Sequence, residues 1–368
     1  MKRIGVVFIA LILLAGCTQI ETPQADAVSG RAFKGPFLPS STVDLYVLNS
    51  VLNQTGVTFH GNVTDEAGSY YIPNVPTDGA IELIVNGYFF NEVSGEMSDD
   101  VLELKALTSQ SGTVNVNLFT TIEIRRVRYL AGEGLSVQEA KEQALQELST
   151  QFHWTMSGTA DEISLDSANG KCLLAFSSMI ADSRNVAEIG ALITELTTDF
   201  EDGVFTEEHM DELTQSCFSF NPLDTRANLQ GYFDTEGINI EVPFFGDEIN
   251  TFLLYDKPSD YIYTISNKNI TLDEQIGTID WRIGHGYQEK FWLSPGTTMS
   301  IEIVEPDDHI MTYNSTNTMA DGKVITADGD GIVNFDAMIL YSAPIGYEFD
   351  IDITINGETH TNHYRVVE

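Results

Sequence analysis

The feature that most constrains this chain is a change of hydrophobic period after Asn117 and a second change near Thr251. Apolar residues repeating every second position mark a half-buried strand. A repeat near 3.6 marks one face of a helix. Segments 41–48 and 57–63 alternate and are rich in branched and aromatic residues. Asp65-Glu66-Ala67-Gly68 reads as a turn, because Asp bonds its own backbone and Gly accepts positive φ. Segments 69–72 and 80–85 return as strands, the second closed by Asn86-Gly87.

Beyond Asn117, Ile122, Ile124, Val127 and Leu130 fall near one helical side, and Arg125, Arg126 and Arg128 are expected to face away from it. Gly132 and Gly134 end that helix. Ser136 and Glu139 fit a capping box, followed at helical spacing by Val137, Ala140, Ala144, Leu148 and Phe152. Further helices are expected over 171–182, from an Asn185 cap to 198, from a Thr206 cap to 218, and over 224–235. Gly231 weakens the last by ~1 kcal/mol. From 251 onward, short β segments are separated by Gly, Pro, Asp and Asn, with Pro295-Gly296 and Asn356-Gly357 expected as hairpin turns. The expectation is a multidomain α+β chain: a β-sandwich over 28–117, a small helical bundle over 118–250, and an immunoglobulin-like or jelly-roll β-sandwich over 251–368.

Residues 1–16 carry a different signal. Lys2 and Arg3 precede an apolar run from Ile4 to Leu14, too short for the roughly 20 residues that span a bilayer. This is the form of a cleaved export signal. Its end, Leu13-Leu14-Ala15-Gly16-Cys17, resembles the bacterial lipobox. That resemblance implies acylation of Cys17, cleavage before it, and a palmitate-type anchor with enough buried CH₂ groups to hold the membrane stably. An ordinary secretory signal with a chance Cys, or an inner-membrane anchor, is the plainer alternative. Thr18 stands where Asp would imply inner-membrane retention, so the outer membrane of a Gram-negative bacterium is expected, with its periplasmic or outer face left open. Residues 17–27, polar and holding Pro23, read as a flexible tether.

Two further resemblances concern the folded part. Gly30-Arg31-Ala32, Val43-Asp44-Leu45-Tyr46 and Thr64-Asp65 with Gly68 and Tyr70 resemble carboxypeptidase-regulatory-like, prealbumin-type β-sandwiches, which serve as spacers or binding scaffolds. Gly35-Pro36-Phe37, segments 86–95, 114–117, 173–177 and 228–233 look like a group of bacterial envelope lipoproteins. That likeness runs from Gly30 to Phe245 and implies architecture only; no functional residue is carried over.

The formal charge is −37, and removing the two positive charges of Lys2 and Arg3 leaves −39. Such a chain repels nucleic acid and anionic headgroups, so its expected partners are the membrane through lipid and a protein, peptide or glycan. With Cys17 acylated, Cys172 and Cys217 are the remaining pair for a disulfide in an oxidising compartment. In a simple up-down-up arrangement they would sit roughly 15 Å apart. A disulfide needs Cα atoms within about 7 Å, so only crossed helices bring them together.

No catalytic motif stands out: His-Glu-x-x-His, Gly-x-Ser-x-Gly, a Walker loop and Gly-x-Gly-x-x-Gly are all absent. Enzymatic function is therefore not expected; a hydrolase or solute-handling protein with a site of scattered residues is the alternative. Asp328, Asp330 and Asp336 resemble part of a calcium loop, in which alternate oxygens wrap a hard cation. The pattern is incomplete, and a tight hairpin with Asp-Gly turns is the simpler reading; no other cofactor is expected. Trp281, Tyr287 and Trp292 read as strand core, or, if exposed, as a platform for a sugar or peptide.

Overall fold

The computed structural model describes residues 25–76, 79–109, 112–217, 219–255, 270–273, 278–282, 286–292, 298–304, 310–313, 318–319, 324–326, 332–339, 344–355 and 357–367. Lys2, Arg3, Cys17, Asp328 and Asp330 lie outside them.

The first part is β: β1 (Ala25–Phe33), β2 (Thr42–Leu48), β3 (Gln54–Asn62), β4 (Ser69–Pro76), β5 (Ile81–Gly87), β6 (Phe90–Asn91), β7 (Glu96–Met97), β8 (Leu102–Thr108), β9 (Gly112–Thr113) and β10 (Val116–Asn117). One sheet has the order β10-β1-β4 with β9 also on β1; another has the antiparallel order β3-β2-β5-β8. The turn before β4 is built as expected. Asp65 Oδ1 accepts from the Ala67 and Ser69 amides at 3.0 and 2.9 Å. Gly68 takes φ +79°, and a side chain there would strike the Ala32 carbonyl.

The middle is helical: α1 (Leu118–Ile122), α2 (Ile124–Gly132), α3 (Val137–Gln151), α4 (Gly170–Ala181), α5 (Val186–Asp199), α6 (Glu207–Ser216), α7 (Pro222–Glu236) and α8 (Gly246–Tyr255). The Ser136–Glu139 and Asn185–Glu188 capping boxes both form. Thr206 precedes α6, but its side chain makes no cap bond. Its hydroxyl instead donates to Asp199 at 3.0 Å, and Asp199 also holds His209.

Two expectations are corrected here. The chain does not return to strand at Thr251, because Phe245, Ile249 and Phe252 repeat at helical spacing and all three are fully buried. Phe252 packs 5.4 Å from Phe152, and the Trp154 indole donates to the Glu248 carbonyl at 2.8 Å. The arginines do not all face away either. Arg126 is buried and held by both Glu147 oxygens at 2.8 and 2.7 Å, and Arg128 reaches Glu82 at 3.0 Å. In so acidic a chain, α3 and β5 bring carboxylates to them, which leaves only Arg125 of the three exposed.

A continuous hydrophobic core runs from Val28 to Phe252 through both the sheets and the helices. Phe119 of α1 stacks on Phe176 of α4 at 5.0 Å, and Phe90 stacks on Tyr232 of α7 at 4.3 Å. Phe89 and Phe90 are thus core, whereas Tyr88 is exposed.

The last part is β again: β11 (Ile270–Asp273), β12 (Thr278–Arg282), β13 (Gly286–Trp292), β14 (Thr298–Val304), β15 (Ile310–Tyr313), β16 (Thr318–Met319), β17 (Val324–Thr326), β18 (Ile332–Ile339), β19 (Glu348–Ile355) and β20 (Glu358–Val367). One sheet has the order β11-β12-β20-β19-β14-β17, the other β13-β18-β15 with β16 also on β18. Asn356-Gly357 closes a two-residue hairpin, since Ile355 pairs with Glu358. Pro295 and Gly296 lie outside the described residues, and the strands flanking them, β13 and β14, belong to different sheets. The whole chain is therefore mixed α+β. Among the described residues, no helix is long and apolar enough to cross a membrane.

Candidate functional site

The described positions singled out in the C-terminal part fall on three strands. Trp281 lies on β12, paired with Ile270 and Val366; Tyr287 and Trp292 lie on β13, opposite Ala337 and Ile332. Positions 287 and 292 are an odd number of residues apart, so they occupy opposite faces of that strand. Asp336 is on β18, paired with Gln288 and Tyr313. The 327–331 segment joins β17, which pairs with β14, to β18, which pairs with β13, β15 and β16. Residues 327–331 themselves, and with them Asp328 and Asp330, lie outside the described residues. No group of three or more metal-ligating side chains occurs among the described residues.

No disulfide joins Cys172 to Cys217. Both are buried, and the Cys217 thiol donates to the Leu213 carbonyl at 3.4 Å. Burial, reinforced by the Glu248 charge, pushes the Cys172 thiol up to about 12. A thiol so shifted is a packing group and not a nucleophile.

Two sealed ionic clusters knit the helices to the sheets. In the first, Lys34, just after β1, reaches Glu92, just after β6, at 3.0 Å; both are fully buried. The Ser177 hydroxyl of α4 donates to the same Glu92 oxygen. Burial holds the Lys34 ammonium below its ordinary range, against the pull of Glu92. In the second, Lys141 of α3 is paired with Asp161, whose other oxygen accepts from Thr159 at 2.6 Å. Glu123, at the joint of α1 and α2, shares that field. Burial pushes its carboxyl up to about 8, Lys141 pulls it down, and Asp161 pushes it up. Every side chain in these clusters is buried, so they act as internal struts.

A groove of about 370 Å³ between β8 and α5 faces solvent. Residues Asp100 to Glu103 and Lys105 form one wall, and Val186, Gly190, Ile193 and Thr197 of α5 form the other. Thr121 and Ile124 close it below. Leu102, Ile124, Val186 and Ile193 give it a nearly buried apolar lining. A Cβ on Gly190 would sit 3.8 Å from the Leu102 Cδ1 atom, so any larger side chain there enters the groove. Along the β8 wall Asp100 and Lys105 stand at opposite ends, and Arg125 lines the groove four residues after Thr121, which holds the Lys105 amide. Lys105 pairs with Glu103 at 3.0 Å and Arg125 with Glu201 at 3.5 Å, both on the surface.

The wall strand β8 is the edge of its sheet. Its Lys105 amide donates to Thr121 at 3.0 Å, and its Lys105 carbonyl accepts from Thr120 at 2.7 Å. Both groups thus point away from β5. In an antiparallel pair this outward direction recurs every second residue, so the Glu103 N–H and C=O point the same way. Among the described residues, no side chain caps them as the two threonines cap Lys105.

The sequence reading did not find this groove. Its one local trace was Gly190 inside a helical pattern, a position that costs ~1 kcal/mol relative to Ala unless a close approach needs it. The other lining residues come from four separate elements and carry no shared motif. The chain matches no protein-family model, and comparison with curated proteins returns no match.

Proposed function

We propose that this chain is a lipid-anchored protein of the Gram-negative outer membrane with a binding or scaffolding role and no catalysis. The anchor reading rests on the order Leu13-Leu14-Ala15-Gly16-Cys17 behind Lys2 and Arg3. The binding reading is carried by the β8–α5 groove, an apolar-lined concavity with charges placed toward each end. The strongly shifted groups, Lys34, Tyr70, Glu123, Cys172 and Tyr232, do not line that groove, which favours binding over chemistry. In this reading the two N-terminal sheets form a prealbumin-like sandwich, the helices a bundle, and the two C-terminal sheets an immunoglobulin-like or jelly-roll sandwich. The partner is a protein, peptide or glycan, and nucleic acid is disfavoured by the charge of −37. A calcium ion at Asp328, Asp330 and Asp336 stays an accessory proposal: a melting midpoint unmoved by millimolar Ca²⁺ removes it.

The test has two readouts in intact cells. Cys17→Ser should abolish palmitate labelling and release the protein from the membrane fraction. A photo-crosslinking residue at Val101, an exposed groove position, should form adducts that the same residue at exposed Ile345 does not. Unchanged membrane association of Cys17→Ser defeats the anchor; equal adducts at both positions defeat the groove.

A further inference from the structure

We infer that the β8–α5 groove takes an extended peptide segment of a partner protein, bearing an acidic residue, as an added strand beside β8. The inference rests on the binding role proposed above and names its ligand class.

Three observations converge. The edge of β8 offers the Glu103 N–H and C=O toward the groove, because the pairing with β5 turns them outward alongside those of Lys105. An edge of unpaired backbone groups is a template for another strand, and backbone hydrogen bonds of that kind are sequence-tolerant. Thr120 and Thr121 already cap Lys105, and the Val101 N–H already donates to Asp100 Oδ1 at 2.8 Å, so an added strand can pair only at Glu103 and must stop before Lys105. That limits the ligand to a short extended stretch, at about 3.3 Å per residue.

The facing wall supplies side-chain specificity. Leu102, Val186 and Ile193 offer apolar contact, and Gly190 adds no side chain to that wall. The capped end carries the charge. Lys105 and Arg125 are two of only 18 Lys and Arg in a chain with 55 Asp and Glu. Their present partners, Glu103 and Glu201, are exposed, and exposed pairs are worth only about 0–1 kcal/mol. An incoming carboxylate can therefore exchange into them. Asp100, toward the open end, repels an acid there and fixes the direction.

The test uses the mature chain purified from membranes and the peptide Val-Thr-Val-Glu-Val-amide carrying fluorescein on its N-terminal amine, read by anisotropy. Saturable binding is expected, weakened at least about tenfold when the peptide Glu becomes Lys. A peptide with Pro at its central position, which lacks one N–H, should bind no better than the Lys peptide. Gly190→Leu should abolish binding with the melting midpoint kept. Arg125→Glu, an exposed change that leaves the fold intact, should reverse the preference between the Glu and Lys peptides. No anisotropy change at 1 mM peptide overturns the inference, as does equal binding by the Pro peptide or by a folded Gly190→Leu protein. If Val101 adducts still form in cells while the peptide fails, the peptide class is wrong and the binding role stands; if both fail, both fall.

Discussion

Glu123→Gln is the sharpest probe of how this core is held. Glu123 is nearly fully buried, one of its oxygens has no hydrogen-bond partner, and its carboxyl is raised from the ordinary 4.5 to about 8. In the folded chain it keeps its proton at neutral pH, while in the unfolded chain it ionises near 4.5. An acid with a raised folded pKa contributes its full stability below the unfolded value, and that contribution is lost as pH rises through the folded one. The gap from 4.5 to about 8, at about 1.4 kcal/mol per pH unit, caps the loss at roughly 4–5 kcal/mol. Gln is isosteric with the protonated acid and cannot ionise. The variant should therefore match the parent within about 1 kcal/mol at pH 4.5 and exceed it by roughly 2–4 kcal/mol at pH 8. Hydrogen exchange of α2 and α3 in a urea series at each pH reads this locally, which avoids assuming one transition for the whole chain. A stability difference between variant and parent that is the same at pH 4.5 and pH 8 would refute the reasoning.

Two other outcomes test the packing. Lys34→Met strands a buried Glu92 carboxylate, so it should cost about 3–5 kcal/mol in urea unfolding, and adding Glu92→Leu should restore most of the loss. A neutral Lys34→Met would show that the pair is not buried as an ion pair. In a non-reducing thiol assay of the Cys17→Ser chain, Cys172 and Cys217 should stay unreactive while folded and give two thiols after denaturation. Zero thiols in denaturant would mean a disulfide.

What could be read from the sequence, and what could not, divides along range. Local chemistry was legible. The Ser136–Glu139 and Asn185–Glu188 boxes, the Asp65–Gly68 turn and the Asn356-Gly357 hairpin each depend on residues within four positions of one another. Helix α8 was misread because its Phe and Leu residues suit a strand equally well, and only burial of Phe245, Ile249 and Phe252 on one side decides for the helix. The arginines of α2 were misread for a related reason. Arg126 looks like a solvent residue until Glu147, 21 positions away, is brought to it.

The sequence by itself determined the order of β, α and β parts, the Ser136–Glu139 capping box, the Asp65–Gly68 turn and the strongly negative charge. Those follow from period, side-chain type and nearest neighbours. Only the tertiary structure decided that the first sheets and the helices share one core, that Lys34, Glu92 and Ser177 meet inside it, and that β8 ends as an edge beside α5. Each of these depends on residues tens of positions apart, and no local pattern encodes which distant carboxylate, hydroxyl or strand edge will be brought near.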